Sequence, residues 1–422
     1  MGLTTNDRAI ARFTMLGHAL VHWYELSIPI FLVVWQDSFD VSIAFIGLIV
    51  ALGYAPFGIG ALPAGILADR FGPKRLILAC FAGMSLSFFA LAFATSIYLI
   101  GAALVVWGIV ASVYHPAGMS LISTGAERQG TVFAYHGIAG NVGITLGPFA
   151  AATLLIGFDW EIVAALLAVP GIAAFLYGLR ADFDTTAAVE EDIDADAGTP
   201  ITVPAFIRNT KTLMASAFLV VFVIVTFEGL FYRGILTFLP DILQGLPVME
   251  GIELQAGLQG IKPGDYIFVG LLVVGMGGQY AGGKLTERVP VERGMVAIFV
   301  TLAVLALVFV PVSDLGLGPL LVLCGLIGFF LFAIQPFYQV AVAQYTPPDT
   351  RGLSYGYTYL AEFGFGAASI AIGGYLIGGF GLPAFFTVLA AFAVVGASLG
   401  AVLLFGADRI AFIQSYEQET AD

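Results

Sequence analysis

Gly65-Ile-Leu-Ala-Asp69-Arg70-Phe-Gly72-Pro-Lys74-Arg75 lies between two long apolar runs, and at an offset of 218 the chain reads Gly283-Lys-Leu-Thr-Glu287-Arg288-Val-Pro-Val-Glu-Arg293. A glycine, an acid four residues on, an arginine five on and another ten on recur at the same spacing. Upstream, Gly60 and Ala64 match Gly278 and Gly282, small residues four apart that let two helices approach closely. A fainter echo follows, with Arg128 and Arg351 each preceding a later apolar run. The chain therefore reads as two similar halves in parallel, an arrangement found among membrane transporters.

Working outward from that repeat, 59% of the 422 residues are hydrophobic and 11% are charged, against a charged share near ~25% in soluble proteins. Such a chain cannot build a water-facing surface. Apolar runs near the roughly 20 residues that cross a bilayer fall at about 12–35, 43–67, 76–94, 98–123, 130–156, 161–179, 212–240, 266–286, 294–311, 317–343, 353–378 and 382–406. They are long and continuous rather than short and alternating, which predicts helices and not a β-barrel. The expected fold class is an all-α membrane protein with twelve spans in two six-helix halves. Its expected place is the cell membrane, multi-pass.

Lys and Arg near helix ends stay on the cytoplasmic side. All but two of the 16 basic residues fall on one alternating set of connections, the exceptions being Lys262 in a long loop and Arg233 inside a span. This predicts an even span count with both termini cytoplasmic. The net charge of −13 does not conflict, because orientation counts Lys and Arg only. Part of it is local: Asp182, Asp184, Glu190, Glu191, Asp192, Asp194 and Asp196 lie together without a basic residue, the composition of a solvated linker. The halves are expected at 1–180 and 212–406, joined by a cytoplasmic linker at 181–211 and followed by a tail at 407–422. Cys80 and Cys324 lie in apolar runs without disulfide or zinc spacing. The first run contains His18, His22 and Glu25 and has no small-residue cleavage site, so it is expected to be a span and not a cleaved signal.

These residues carry a family resemblance over essentially the whole chain. The loop from Gly65 to Arg75 resembles the signature loop of the major facilitator superfamily, and the loop from Gly283 to Arg293 resembles its degraded second copy. Pro73 stands where a basic residue is frequent, and Pro290 stands at the position of Gly72. Gly143, Gly147 and Pro148 resemble the glycine-proline motif of the superfamily's antiporters. Tyr114-His115-Pro116-Ala117-Gly118, with His18 and His22, is similar to the fosmidomycin-resistance branch of drug exporters. The resemblance implies alternating access, with Gly65, Asp69, Arg70, Gly72, Arg75, Gly283, Glu287, Arg288 and Arg293 at a cytoplasmic gate.

Physically, Asp69 is expected to face the positive end of the helix that starts near Arg351, and Glu287 the one that starts near Arg128. Rocking of the halves would break such latches; the alternative is that these charges only anchor helix ends at the interface. Ionisable groups within spans are costly, so they line a cavity or pair with one another. His18, His22 and Glu25 share one helical face and, at ~1.5 Å per residue from Arg12, climb toward mid-bilayer. Glu362 is expected at similar depth, His115 and His136 nearer the cytoplasm, and Glu228, Tyr232 and Arg233 nearer the outside. Glu25 and Glu362 are candidate proton carriers, or else permanently paired polar residues. His22 is a candidate relay or an ordinary interior histidine, and His115 a candidate ligand contact or the product of a kink at Pro116. Glu228 and Arg233 are expected to pair or to close an outer gate. Gln335, Tyr338, Gln339, Tyr355 and Tyr359 are candidate substrate contacts, or packing.

No metal site is expected, since the histidines come from different helices and only His18 and His22 have ligand-like spacing; no cofactor is expected, and with no phosphate-binding loop present ATP is not expected to drive the chain. The function expected is a secondary transporter for a small organic solute, proton-coupled and exporting, with a proton or sodium ion and the bilayer as its other partners. No nucleic acid is expected, and a monomer holds a complete pathway. A uniporter or symporter for a sugar, carboxylate or phosphate ester is the main alternative. A membrane-embedded enzyme would need its polar groups at one depth, and a sensor would need a soluble output domain.

Overall fold

In lipid, every backbone amide must find its partner within the chain, so long apolar runs fold as helices. The computed structural model describes residues 2–188, 203–250, 263–346 and 351–419, with all their side chains except those at 66, 69, 130, 134, 203, 351, 352 and 407–419. Among the described residues there is no strand. The helices are α1 (Thr5–Phe39), α2 (Ile43–Ile59), α3 (Ala61–Phe71), α4 (Pro73–Leu91), α5 (Ile97–Ala111), α6 (Tyr114–Gly125), α7 (Gln129–Leu154) and α8 (Trp160–Arg180). After the connector come α9 (Val203–Ala215), α10 (Phe218–Gln244), α11 (Pro263–Thr286), α12 (Val291–Leu307), α13 (Phe309–Ser313), α14 (Leu317–Tyr345), α15 (Arg351–Tyr359) and α16 (Ala368–Glu419). A π-helical turn at Leu360–Phe365 joins α15 toward α16.

Among the described residues, ten helical stretches are long and apolar enough to cross a membrane. The last of them, 353–406, is broken at Gly381 (φ +77°), a backbone that favours glycine, so it covers two of the expected runs. α12, the expected ninth run, is 17 residues long. Two other runs are helices interrupted midway. In the 98–123 run, Pro116 has no amide hydrogen to give the carbonyl of Ser112, and the helix breaks between α5 and α6. Exposed large apolar side chains such as Leu86, Ile109, Val304 and Val322 suit contact with lipid acyl chains.

The pairing of helices repeats along the chain. α1 packs on α7, α2 on α5 and α4 on α8; then α10 packs on the part of α16 before Gly381, α11 on α14, and α12 on the part after it. Glycines set the closest of these approaches. A Cβ at Gly143 would lie 2.0 Å from the Ala19 carbonyl oxygen, and one at Gly147 2.3 Å from that of Trp23, so α7 rides directly on the backbone of α1. Gly278, which matches Gly60 in the sequence repeat, is as tight against Phe329. Between the two sets, α2 meets α16 and the π-helical turn, α7 meets α11, and α1 meets α10.

Two expectations need correction. Residues 203–211, read as linker, and 212–215, read as the start of a span, form the separate helix α9. It ends at Ser216, whose hydroxyl accepts the Phe218 amide at 3.2 Å, so the span itself starts at Phe218. Glu287, expected at a latch, is exposed just past the end of α11 and lies 3.8 Å from Lys284. The latch expected of Asp69 and Arg351 falls on side chains outside the described residues, as do Glu190 to Asp196 of the acidic run, Lys262 and the side chain of Arg409. Gly72 (φ +81°) makes the sharp turn between α3 and α4. Arg70 is exposed and stacks over Phe71.

Candidate functional site

A cavity of about 370 Å³ lies between the two sets of helices. From the first set, α1, α6 and α7 bring His18, His22, His115, His136 and Asn141 to its wall. The second set contributes Tyr232, Gln279, Gln335, Tyr338, Gln339, Tyr355, Thr358, Tyr359 and Glu362. Every candidate contact from the sequence is therefore on this wall except Glu25, Glu228 and Arg233, which stand behind it.

Glu25 is fully buried and ion-paired with Arg233, which reaches across from α10. Its other carboxylate oxygen lies 2.5 Å from His22 Nδ1, and its backbone carbonyl accepts the Tyr54 hydroxyl at 2.5 Å. The Arg233 guanidinium is stacked 4.7 Å over the Tyr54 ring and 4.6 Å over Phe363, and such cation–π contacts stabilise a buried cation further. This corrects the expected pairing of Arg233 with Glu228: the arginine joins α1 to α10 instead. One turn of α10 earlier, Glu228 is 1% exposed, and neither of its carboxylate oxygens has a hydrogen-bond partner.

Glu362 sits in the π-helical turn and accepts the Tyr338 hydroxyl at 2.8 Å. A π-turn carries one residue more than an α-turn, and such turns are frequent at functional sites. The extra residue is tolerated because glycines surround it: a Cβ at Gly229 would lie 2.7 Å from Glu362 Cα, and one at Gly58 1.9 Å from the Gly364 nitrogen. Glu228 is the neighbour of Gly229, so the two acids lie close together, Glu362 on the cavity wall and Glu228 behind it.

The four histidines meet in one cluster. His18 and His136 stack with ring centroids 3.9 Å apart, His22 and His115 lie 5.5 Å apart, and His115 stacks on Tyr359 at 4.8 Å. One ring nitrogen from each of His18, His22 and His115 lies within 4.8 Å of the others. Coming from different helices does not separate them, because α1 packs against both α6 and α7.

Several residues of this site escaped the sequence reading. Tyr54 looked like any aromatic residue in an apolar run, whereas Gln279 and Asn141 were polar residues within glycine-rich spans and could have been singled out. At the N-terminal end of α1, Asp7 is fully buried, accepting the Thr4 amide at 3.1 Å and the Glu127 amide at 2.9 Å. Thr4-x-x-Asp7 is a capping-box pattern, so that signal was present.

The model for the Major Facilitator Superfamily matches residues 14–370. Among curated relatives, the chain is 28% identical over 151 residues to the gallate transporter of Pseudomonas putida, covering 32% of this chain and 34% of that protein. It is 27% identical over 176 residues to a Na(+), Li(+), K(+)/H(+) antiporter of Planococcus maritimus, covering 40% of this chain and 39% of the relative. The matched stretch thus spans little more than a third of each relative. Among solved structures, the fold is similar to a bacterial homologue of the human lysosomal transporter Spinster in an inward-facing, unoccupied conformation, with a TM-score of 0.71 and 15% identity over 94% of this chain and 97% of that one. It is also similar to the nucleoside transporter NupG, with a TM-score of 0.70 and 15% identity over 95% and 99% of the two chains.

Proposed function

The chain belongs to the major facilitator superfamily, and on that premise we propose that it exports a small organic solute in exchange for protons by alternating access. Membership makes it a multi-pass membrane transporter and removes the enzyme alternative. The coupling is carried by one observation: Glu228 is buried with no hydrogen-bond partner on either carboxylate oxygen. Beside it, Glu362 has a neutral phenol as its partner, while Arg233, the buried cation nearest in sequence, is held by Glu25. Two carboxylates buried close together, with the nearby guanidinium ion-paired to Glu25, are accommodated when they hold protons. Movement of the two sets of helices would change the face from which water reaches the cavity and release the protons held there. Glu25, tied to Arg233 and His22, is the structural member of the acid set.

Twelve crossings, both ends in the cytoplasm, and halves at 1–180 and 212–406 belong to the same proposal. The alternation of basic residues and the repeated helix pairing support them. Export is supported by the Gly143, Gly147 and Pro148 pattern, by the resemblance to drug exporters, and by partial likeness to a relative named as a cation/proton antiporter. The likeness to a relative named as a gallate transporter favours a second reading, uptake of a carboxylate. Against it, Arg233 is already neutralised by Glu25.

The test is made in proteoliposomes carrying an internal pH dye, with a panel of small organic solutes, gallate and alkali-metal cations included. A solute whose addition moves protons across the membrane is the expected result. Solute flux with no proton movement would replace the proposal with a uniporter or a sodium-linked carrier.

A further inference from the structure

We propose that His18, His22 and His115 form a binding site for a divalent transition-metal cation of the zinc type on the cavity wall. The argument begins with where the ring hydrogens must be. His18 Nδ1 lies 2.7 Å from the backbone carbonyl of His136, and His22 Nδ1 lies 2.5 Å from the Glu25 carboxylate. A carbonyl and an ion-paired carboxylate only accept, so both Nδ1 atoms carry hydrogen. Each neutral ring then has its lone pair on Nε2, and those two Nε2 atoms face each other 3.2 Å apart. Two lone pairs aimed at one another repel unless a cation lies between them.

A metal ion satisfies that demand. Tetrahedral coordination with bonds of about 2.0 Å sets neighbouring nitrogens ~3.3 Å apart, the separation His18 and His22 already have. The carboxylate of Glu25 behind His22 is the arrangement that orients a ligating histidine and strengthens it as a donor. His115 supplies the third nitrogen, its Nε2 buried and without a hydrogen-bond partner. Its ligand atom lies within 4.8 Å of the other two, and the ring is held flat against Tyr359, so a small side-chain rotation completes the set. The cavity leaves a fourth position open and gives the ion a way in. Imidazole donors select zinc, cobalt, nickel or copper over magnesium or calcium, which prefer oxygen. The proposal rests on the histidine geometry and stands whether or not transport is proton-coupled.

The experiment uses the full-length, tag-free protein in detergent, with Co²⁺ as an optical probe and Zn²⁺ titrated by calorimetry. A single Co²⁺ should give the visible bands of a four-coordinate nitrogen site, be displaced by Zn²⁺ and be indifferent to Mg²⁺. Loss of a metal's outer-shell partner alone weakens binding about 10–100-fold, so His115→Phe should weaken it at least about tenfold. Cys324→Ala, a change at a buried thiol in the other set of helices and away from this cavity, should leave binding intact. If His115→Phe does not run as a monodisperse species, His18→Gln reads the same loss. Absence of metal binding by the wild type would mean that a shared proton sits between the rings and would overturn the proposal. Equal losses in His115→Phe and Cys324→Ala, or a six-coordinate cobalt spectrum, would do the same.

Discussion

The two walls of the cavity come from helix sets that pair alike, yet they carry opposite chemistry. The wall built by α1, α6 and α7 presents imidazoles, and its buried acid Glu25 is satisfied from both sides by His22 and Arg233. The opposite wall presents the Glu362 carboxylate, phenols and amides, and its arginine pairs with Glu25 of the first set. A repeat preserves what packing requires, such as the small residues Gly60 and Ala64 at the α2–α3 junction and Gly278 and Gly282 of α11, or the glycine-acid-arginine loops. It does not preserve what the cavity does. Where the walls differ, at the histidine cluster and at the acids Glu228 and Glu362, the specific function should be sought.

Breaking the ion pair between Glu25 and Arg233 should have the largest effect. Arg233→Leu leaves Glu25 charged and buried, which costs about 3–5 kcal/mol and should be seen as a large fall in thermal unfolding temperature in detergent. Arg233→Leu combined with Glu25→Leu should recover most of that loss. If the double variant is as unstable as the single one, the pair is not what ties α1 to α10.

Next in size is the packing that the sets share. Gly147→Leu drives a side chain into the Trp23 carbonyl and should cost about 1–3 kcal/mol by overpacking. Glycines with no close neighbour, such as Gly277, should tolerate alanine with no comparable loss. Equal effects at the two positions would show that α7 and α1 are not in direct backbone contact.

Smaller still in stability, but decisive for function, is Glu228→Gln. An amide replaces a protonated carboxyl at nearly constant shape, so the unfolding temperature should stay near that of the wild type while solute-dependent proton movement is lost. A steep loss of stability would instead mark Glu228 as a charged partner in a pair. The smallest effect is expected at Glu287→Gln: its contact with Lys284 is between well-exposed groups, and exposed pairs contribute little. A large change in transport there would restore Glu287 to a gate.

The sequence made the fold legible because lipid leaves a long apolar run little choice of structure. The repeated loop and the basic residues added pairing and orientation as expectations. The chemistry of the cavity was only partly legible. The spacing of His18, His22 and Glu25 on one face of α1 was visible, but the meeting of His115 with them depends on how α6 leans after its break at Ser112. Arg233 stood out as a cation within a span, yet its partner was a matter of helix packing across the cavity, not of spacing along α10. The π-helical turn under Glu362 has no local signature, since it exists because Gly58, Gly229 and Gly366 make room for it.

The most direct test of the proton-coupled account compares two kinds of flux in proteoliposomes carrying the wild type, Glu228→Gln or Glu362→Gln. Exchange of labelled for unlabelled solute needs the cavity to change face but no net proton, whereas accumulation against a gradient needs both. The account predicts that both variants keep exchange and lose proton-driven accumulation. Proton-driven accumulation at the wild-type rate in both variants would contradict it.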